Sequence, residues 1–146
     1  MKPSRHAPLL ALLLLTLACG PVMGSEEFIH PWKSVAITAD GTPETGNIRV
    51  EGELSEQAYT SFRIHAFGRE ESLGKADLEK LKGYPLASIE VTSEPGYEAI
   101  GGYTVHARLK RTRYDDSQKL KTTVLVISLQ KKGPLTAMQM PEGNPS

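Results

Sequence analysis

The chain has 146 residues, 17 basic and 17 acidic side chains, and one cysteine, Cys19. The neutral balance argues against a general nucleic-acid binder. Because the cysteine lies near the N-terminus, the rest of the chain has no internal disulfide and no thiolate metal site. The length suffices for one domain with its own hydrophobic core.

Residues 1–24 have the pattern of a secretory signal peptide. Basic residues precede an apolar run from Ala7 to Ala18, and Gly20 interrupts the chain soon after it. A positive start followed by about a dozen apolar residues is typical of export signals and is too short to span a bilayer comfortably. We therefore expect export, to the periplasm or out of the cell, with a mature chain that starts at Ser25.

A second processing site overlaps the first. The segment Leu15-Thr16-Leu17-Ala18-Cys19-Gly20 resembles the bacterial lipobox, in which a small residue precedes a cysteine that becomes acylated. Ala18 and Cys19 match this pattern, whereas Thr16 and Leu17 depart from it. The resemblance implies an alternative address as a membrane-anchored lipoprotein with its lipid on Cys19. No other apolar run is as long, so we expect no transmembrane span.

Three main strands are predicted before the helix. Ser34 to Ala39 is a short strand, and Gly46 to Leu54 and Tyr59 to Phe67 alternate apolar and polar residues. This alternation is typical of a sheet with one face in water. Gly68-Arg69 fits a two-residue hairpin turn, because glycine at the first position takes the positive φ that the turn needs. Glu70 to Leu73 is the predicted short return strand.

Lys75 to Lys82 is predicted to be the helix. Leu78 and Leu81 lie on one face of it, and Gly83 follows where a left-handed residue commonly ends a helix. At about two turns it requires packing against the sheet for stability.

Three further strands are predicted at Ala87 to Ser93, Tyr103 to Arg113 and Lys119 to Lys131, the last two as a hairpin. The final strand is apolar on both faces at its centre, so we expect it in the middle of the sheet or beneath the helix. Residues 133–146 contain proline and glycine without periodicity, which predicts a disordered tail.

These elements predict an α+β fold. We expect a single small domain over residues 25–132, built on a mostly antiparallel sheet of about six strands. One short helix lies between the third and fourth main strands.

The loop before the Tyr103 strand is the first candidate site. It is longer than a hairpin needs, contains three glycines and carries Tyr97 and Ile100. Loops of this kind often carry binding function on a rigid sheet. We expect Tyr97, Ile100 and Tyr103 to contact a partner; the alternative is a wide turn with Tyr97 folded over the edge of the core.

Charge is distributed unevenly along the chain. Residues 25–99 carry 14 acidic and 7 basic side chains, whereas residues 100–146 carry 3 and 8. Basic residues around the second hairpin, including Arg111 and Lys119, could meet an anionic envelope polymer, a lipid headgroup or an acidic protein. For the uneven charge, the alternative is that this basic hairpin packs beside acidic strands of the same fold. For the basic face, the alternative is that lysines on an edge strand discourage aggregation.

Metal binding and catalysis have little support. His65, Glu90 and His106 occupy outward positions on predicted strands, and two imidazoles with a carboxylate can hold zinc if the strands are neighbours. No closely spaced ligand pair or nucleophile motif accompanies them. We therefore expect no cofactor.

The sequence predicts an exported, non-enzymatic envelope or secreted protein that binds a protein or an envelope component. Two alternatives stay open. One is a metal- or cofactor-binding, enzyme-like domain that uses the polar face of the sheet, and the other is an inhibitor of an envelope hydrolase.

Overall fold

The computed structural model describes residues 33–96 and 102–140, so the predicted signal peptide, Tyr97 and Ile100 lie outside the described residues. Within the described residues, eight strands form two four-stranded sheets, A and B. Sheet A contains β1 (Ser34–Ala39), β2 (Ile48–Ser55), β3 (Ala58–Ala66) and β4 (Arg69–Ser72). Sheet B contains β5 (Glu90–Pro95), β6 (Tyr103–Tyr114), β7 (Leu120–Gln130) and β8 (Thr136–Met140). Helix α1 (Lys75–Lys80) and a 3₁₀ turn (Leu86–Ser88) lie between β4 and β5.

Each sheet is an antiparallel meander in which every strand pairs with its neighbours in the chain. The prediction of a mostly antiparallel sheet with little helix is confirmed. The described ranges contain eight strands in two sheets instead of about six in one.

The inward residues of the two sheets form one hydrophobic core. Its fully buried members on the central strands are Val50, Phe62, Ile64, Ala66, Val105, Ala107, Leu109, Leu125, Ile127 and Leu129. Burial of each larger apolar side chain stabilises the fold by about 1.5–3 kcal/mol. The sheets therefore pack face to face, and the turns of both gather at two ends of the molecule.

The segment between the sheets is fastened to the core by Tyr59 and Tyr84. The Tyr59 hydroxyl donates a hydrogen bond to the Tyr84 carbonyl over 2.7 Å, and burial raises the pKa of Tyr59 well above its ordinary value. Helix α1 ends at Lys80, two residues before the predicted end. Gly83 adopts a φ of +80°, as expected of a left-handed residue after a helix.

The β3–β4 turn differs from the prediction by one residue. Its two central residues are Phe67 and Gly68, since Ala66 pairs with Arg69. Both have positive φ, 57° and 69°, which is the type I′ geometry that suits the twist of a hairpin.

Residues 136–140, which the sequence placed in a disordered tail, form β8. Leu135 and Ala137 are 5% and 6% exposed and belong to the core. The alternation is short and Pro134 precedes it, so the period-two signal is weak. Strand β8 nevertheless pairs with β7 over five residues.

Strand β7 lies between β6 and β8, as its apolar centre predicted. Its second apolar face, with Val124 and Val126, is half-buried. The helix makes its contacts with β3 and β8, so the expected helical cover over this face is not observed.

Candidate functional site

One end of the molecule, here called the loop end, gathers the β1–β2, β3–β4, β5–β6 and β7–β8 connections. The first of these loops is built around Thr45, which is fully buried. Its hydroxyl accepts a hydrogen bond from the Thr42 backbone N–H over 2.8 Å. The Phe67 N–H then donates to the Thr45 carbonyl over 2.6 Å. The β1–β2 loop and the β3–β4 turn are thus held together.

Arg69 fastens a third connection to the same end. Its Nη2 atom donates hydrogen bonds to the carbonyl oxygens of Gln130, over 2.7 Å, and Gly133, over 2.6 Å. Hydrogen bonds from a charged donor are stronger than neutral ones. The β7–β8 loop of sheet B is therefore fixed against β4 of sheet A.

A cleft of about 280 Å³ opens between these connections. Its walls include Phe67, Tyr103 and Pro95, and the oppositely charged side chains of Glu44 and Lys131 also line it. Aromatic walls with a few charged groups are typical of binding sites for apolar groups that need orientation.

The backbone conformation at Phe67, in the wall of this cleft, does not favour phenylalanine. Its φ of 57° is left-handed, a region that costs a residue with a side chain about 1–2 kcal/mol. Asn, Asp or Gly would fit the turn better. The Phe67 ring packs partly on the core and lines the cleft. Strained residues of this kind concentrate at functional sites.

Of the predicted partner-binding residues that the structure describes, Tyr103 lines the cleft. It is half-buried at the start of β6 and pairs with Pro95. Tyr97 and Ile100 belong to the loop that joins these two strands and lie outside the described residues. Their contribution stays a prediction.

Arg111 and Lys119 lie towards the opposite end of β6 from Tyr103. Eight residues of strand separate Tyr103 from Arg111, which corresponds to about 26 Å. Arg111 is engaged within the fold, since its Nη1 atom donates to the Lys82 carbonyl over 3.1 Å. Lys119 is exposed beside the β6–β7 turn. Among the described residues, the structure therefore places Tyr103 apart from Arg111 and Lys119.

The three residues considered for zinc are also separated. His65 occupies the outer face of sheet A, whereas Glu90 and His106 occupy the outer face of sheet B. Glu90 pairs with Lys110 over 2.7 Å. Within the ranges 33–96 and 102–140, no group of three histidine, cysteine or acidic residues could hold a metal ion.

The uneven charge of the two halves is partly matched inside sheet B. Glu90 of β5 bonds Lys110 of β6 over 2.7 Å, and Glu94 bonds Arg108 over 2.8 Å. These contacts support the interpretation that the basic hairpin packs beside acidic strands. They are largely exposed, so each contributes less than about 1 kcal/mol.

Sequence reasoning missed a second surface, which we call the apolar face. It lies on the outer side of sheet B, where the strand register aligns Tyr114, Leu120, Val124, Val126, Met138 and Met140. The exposed large apolar side chains of the described residues all belong to it, with exposures of 46–68%. The apolar centre of β7 was its signal in the sequence.

Comparison of the chain with protein-family models, curated proteins and solved structures found no match. The helices of the described part of the chain are too short and too polar to cross a membrane. The function must therefore be inferred from the chemistry of the molecule's own surfaces.

Proposed function

We propose that this protein is exported and acts without catalysis, by binding a protein partner in the cleft at the loop end. The observation that carries this proposal is Phe67, an aromatic residue kept at a left-handed turn position with its ring in the cleft. The turn geometry by itself favours asparagine there. The ring packs partly against the core, and a contribution of the same ring to binding would further account for phenylalanine at this position.

The cleft measures about 280 Å³, which is close to the lower limit of about 300 Å³ for pockets that bind small organic ligands. One apolar or aromatic side chain of a partner fills such a space, and side chains of this kind dominate protein–protein affinity. Glu44 and Lys131 then orient polar groups around the inserted side chain.

An enzymatic alternative rests on one contact between Ser128 and His106. The Ser128 Oγ and the His106 Nδ1 lie 2.8 Å apart, as in the nucleophile and base of a hydrolase. In the described ranges, however, no carboxylate is hydrogen-bonded to the His106 ring. Ser128 also lies mid-strand, with β6 and β8 paired on both sides. A triad needs an orienting group and free oxyanion donors, so a structural cross-strand pair explains this contact better.

A serine-directed fluorophosphonate distinguishes these two interpretations. The purified protein is expected to leave Ser128 unmodified, because the seryl oxygen lacks an activated base. Labelling of Ser128 that disappears in His106→Gln would favour the hydrolase over the binding protein.

Affinity capture tests the cleft directly. The wild-type protein, Phe67→Asn and Leu120→Thr serve as baits in extracts of the cell envelope. Phe67→Asn keeps the turn, because asparagine tolerates positive φ. We expect a protein captured by wild type and by Leu120→Thr to be lost with Phe67→Asn. Capture that is identical for wild type and Phe67→Asn would contradict a role for the cleft. A captured hydrolase would identify the inhibitor alternative.

Substitution of Tyr97 in the β5–β6 loop tests the same site through the affinity for the captured partner. Replacing Tyr97 with Ala should weaken binding of the captured partner by about 1–2 kcal/mol if the ring is an anchor. Replacing Arg111 and Lys119 together should mainly change the salt dependence of association. The opposite pattern would assign binding to the basic hairpin.

The cellular location of the protein is a separate part of the proposal. It is supported by the apolar run from Ala7 to Ala18, and it predicts a mature chain that begins at Ser25. N-terminal sequencing and intact mass decide between this start and an acylated Cys19. Acyl chains on Cys19 would make the protein a membrane-anchored lipoprotein.

A further inference from the structure

Strand β1 forms one edge of sheet A, and its outer backbone groups have no hydrogen-bond partner among the described residues. On the inner side, the Leu54 N–H donates to the Lys33 carbonyl over 2.7 Å. Because the backbone groups of successive residues point to opposite sides of a strand, the N–H and C=O groups of Ser34, Ala36 and Thr38 point away from β2. These three residues are exposed. Strand β1 therefore presents an open hydrogen-bonding edge to solvent.

The other three edges of the described sheets are protected against pairing. Strand β4 is short and mostly charged. Strand β5 begins with Glu90 and ends with Glu94 and Pro95. At β8, the Lys80 ammonium group donates a hydrogen bond to the Ala137 carbonyl over 3.1 Å. Charged residues, proline and covered backbone groups are the usual means by which edge strands avoid association.

Strand β1 lacks all of these features. Its sequence, SVAITA, contains no charged residue and no proline. Its members are small or β-branched, and β-branched residues are enriched in paired strands. An uncharged edge strand of this length is a template for pairing with another strand. The chemistry of β1 therefore favours addition of a strand at this edge.

We propose that β1 pairs with β1 of a second copy of the chain, as antiparallel neighbours about a two-fold axis through Ala36. In this register Ser34 lies opposite the partner's Thr38, and Ala36 lies opposite the partner's Ala36. Every outward N–H and C=O group of these residues then gains a partner. The two copies of sheet A become one continuous sheet. A shift of the register in either direction leaves some of these groups unpaired.

The side chains of β1 fit this self-pairing. On the inner face Val35 and Ala39 pack against the core, and the half-buried Ile37 lies between them. The two-fold register places the partner's Val35 beside Ile37, which is a favourable cross-strand pair of β-branched side chains. On the outer face the residues that meet are serine, threonine and alanine. Neither bulk nor like charge therefore opposes the contact.

Charge at the ends of β1 favours a second copy as the partner and an antiparallel orientation. Lys33 directly precedes the strand and Asp40 directly follows it, and both are exposed. Antiparallel pairing brings each Lys33 to the end of the partner strand that carries Asp40, whereas a parallel arrangement aligns like charges. Opposite charges across an interface fix its orientation and register. Contacts in which the same patch serves both chains are the commonest in soluble oligomers.

This pairing is independent of the proposed binding in the cleft. Strand β1 leads through Ala39 into the β1–β2 loop at the loop end. Because the paired strands are antiparallel, the loop ends of the two copies point in opposite directions. The dimer therefore presents one cleft at each end.

Sedimentation velocity over a series of concentrations tests the pairing. The chain from Ser25 retains every described strand and helix, and it lacks both the apolar N-terminal run and Cys19. Its average mass is expected to rise from that of one copy towards that of two as the concentration increases. Amide hydrogen exchange locates the contact. The N–H groups of Ser34, Ala36 and Thr38 should become protected only at concentrations at which the dimer forms.

Substitutions of Ala36 test the position of the two-fold axis. Ala36→Lys and Ala36→Glu each place like charges opposite one another, so each should raise the dissociation constant of the dimer by about tenfold or more. A mixture of the two variants places opposite charges there and should restore dimerisation. Ala36→Ser adds no charge and is the matched control, with an expected change of less than about twofold. Thermal denaturation confirms that each variant is folded.

Three results would overturn the proposal. One is a wild-type chain that stays monomeric up to about 1 mM. Another is a dimer that Ala36→Lys does not weaken. The third is a dimer that is lost in Tyr114→Ser with Leu120→Ser while the amides of β1 exchange freely, which would assign the contact to the apolar face. None of these results bears on the cleft, whose partner is tested independently.

Discussion

The guanidinium of Arg111 lies over the ring of Tyr84, with 4.7 Å between its Cζ atom and the ring centroid. This contact joins β6 to the segment between the two sheets. Gly83 permits the approach, because a Cβ at that position would lie 2.8 Å from the Arg111 Nη1 atom. The Tyr84 hydroxyl lies 3.3 Å from the Thr123 hydroxyl, so the ring is held on both sides.

Arg111→Lys should therefore destabilise the fold although it preserves the charge. Lysine cannot reproduce both the planar stacking and the hydrogen bond to the Lys82 carbonyl. We expect the free energy of unfolding to fall by about 1–2 kcal/mol. Arg113→Lys, at an exposed position on the same strand, is the matched control and should change it by less than about 0.5 kcal/mol. Equal urea midpoints for the two variants would show that the stacking contributes nothing.

The β2–β3 turn offers a gain in stability. Glu56 and Gln57 have φ values of 50° and 70°, so neither central residue of this hairpin turn is the glycine that such geometry favours. Gln57→Gly should raise the free energy of unfolding by about 0.5–1 kcal/mol, since the strain removed exceeds the added entropy of glycine.

The reverse substitution at the β3–β4 turn is the control for that result. Gly68 has a φ of 69°, and a Cβ there would meet nothing within 4 Å. Gly68→Ala should therefore lower stability by about 1 kcal/mol through backbone strain alone. If both glycine changes shift the urea midpoint in the same direction, backbone conformation does not explain either.

The buried residue that leads into strand β8 should be necessary for stability. Leu135 is 5% exposed within the core, and truncation of a buried leucine leaves a cavity. Leu135→Ala should cost about 2–4 kcal/mol in urea unfolding, whereas Thr136→Ala at the next, exposed position should cost less than about 0.5 kcal/mol. A small effect of Leu135→Ala would instead favour the original prediction that these C-terminal residues are a tail outside the core.

His106 should make stability dependent on pH. Burial is the main cause that lowers the pKa of His106 below its ordinary value of 6.5. The folded state then binds a proton less readily than the unfolded state. The contribution of His106 to the free energy of unfolding is therefore complete above pH 6.5 and is lost as the pH falls below that value.

His106→Gln should accordingly flatten the stability profile on the acidic side of pH 6.5. The measurement is the thermal midpoint of wild type and variant at a series of pH values at constant ionic strength. Profiles that stay parallel throughout would assign the pH dependence to other groups.

Local patterns were sufficient for most of the strands. Alternation along β2, β3 and β6 predicted their inward residues, because a side chain's face depends only on its position in an extended strand. Strand β8 was not predicted, because Ala137 is its one buried residue and the buried Leu135 directly precedes it. For the site, Tyr103 was predicted and lines the cleft, whereas Phe67 was taken as the end of a strand.

What the sequence determined by itself was therefore the position and type of the main elements and the left-handed residue at Gly83. These follow from periodicity and from backbone sterics, which act over a few residues. The tertiary structure alone decided that Phe67 and Tyr103 share a cleft, that His65 and His106 are on opposite sheets, and that Arg111 is engaged within the fold. Such relationships depend on contacts between residues far apart in the chain. Alternation of apolar and polar residues does not predict which strands become neighbours.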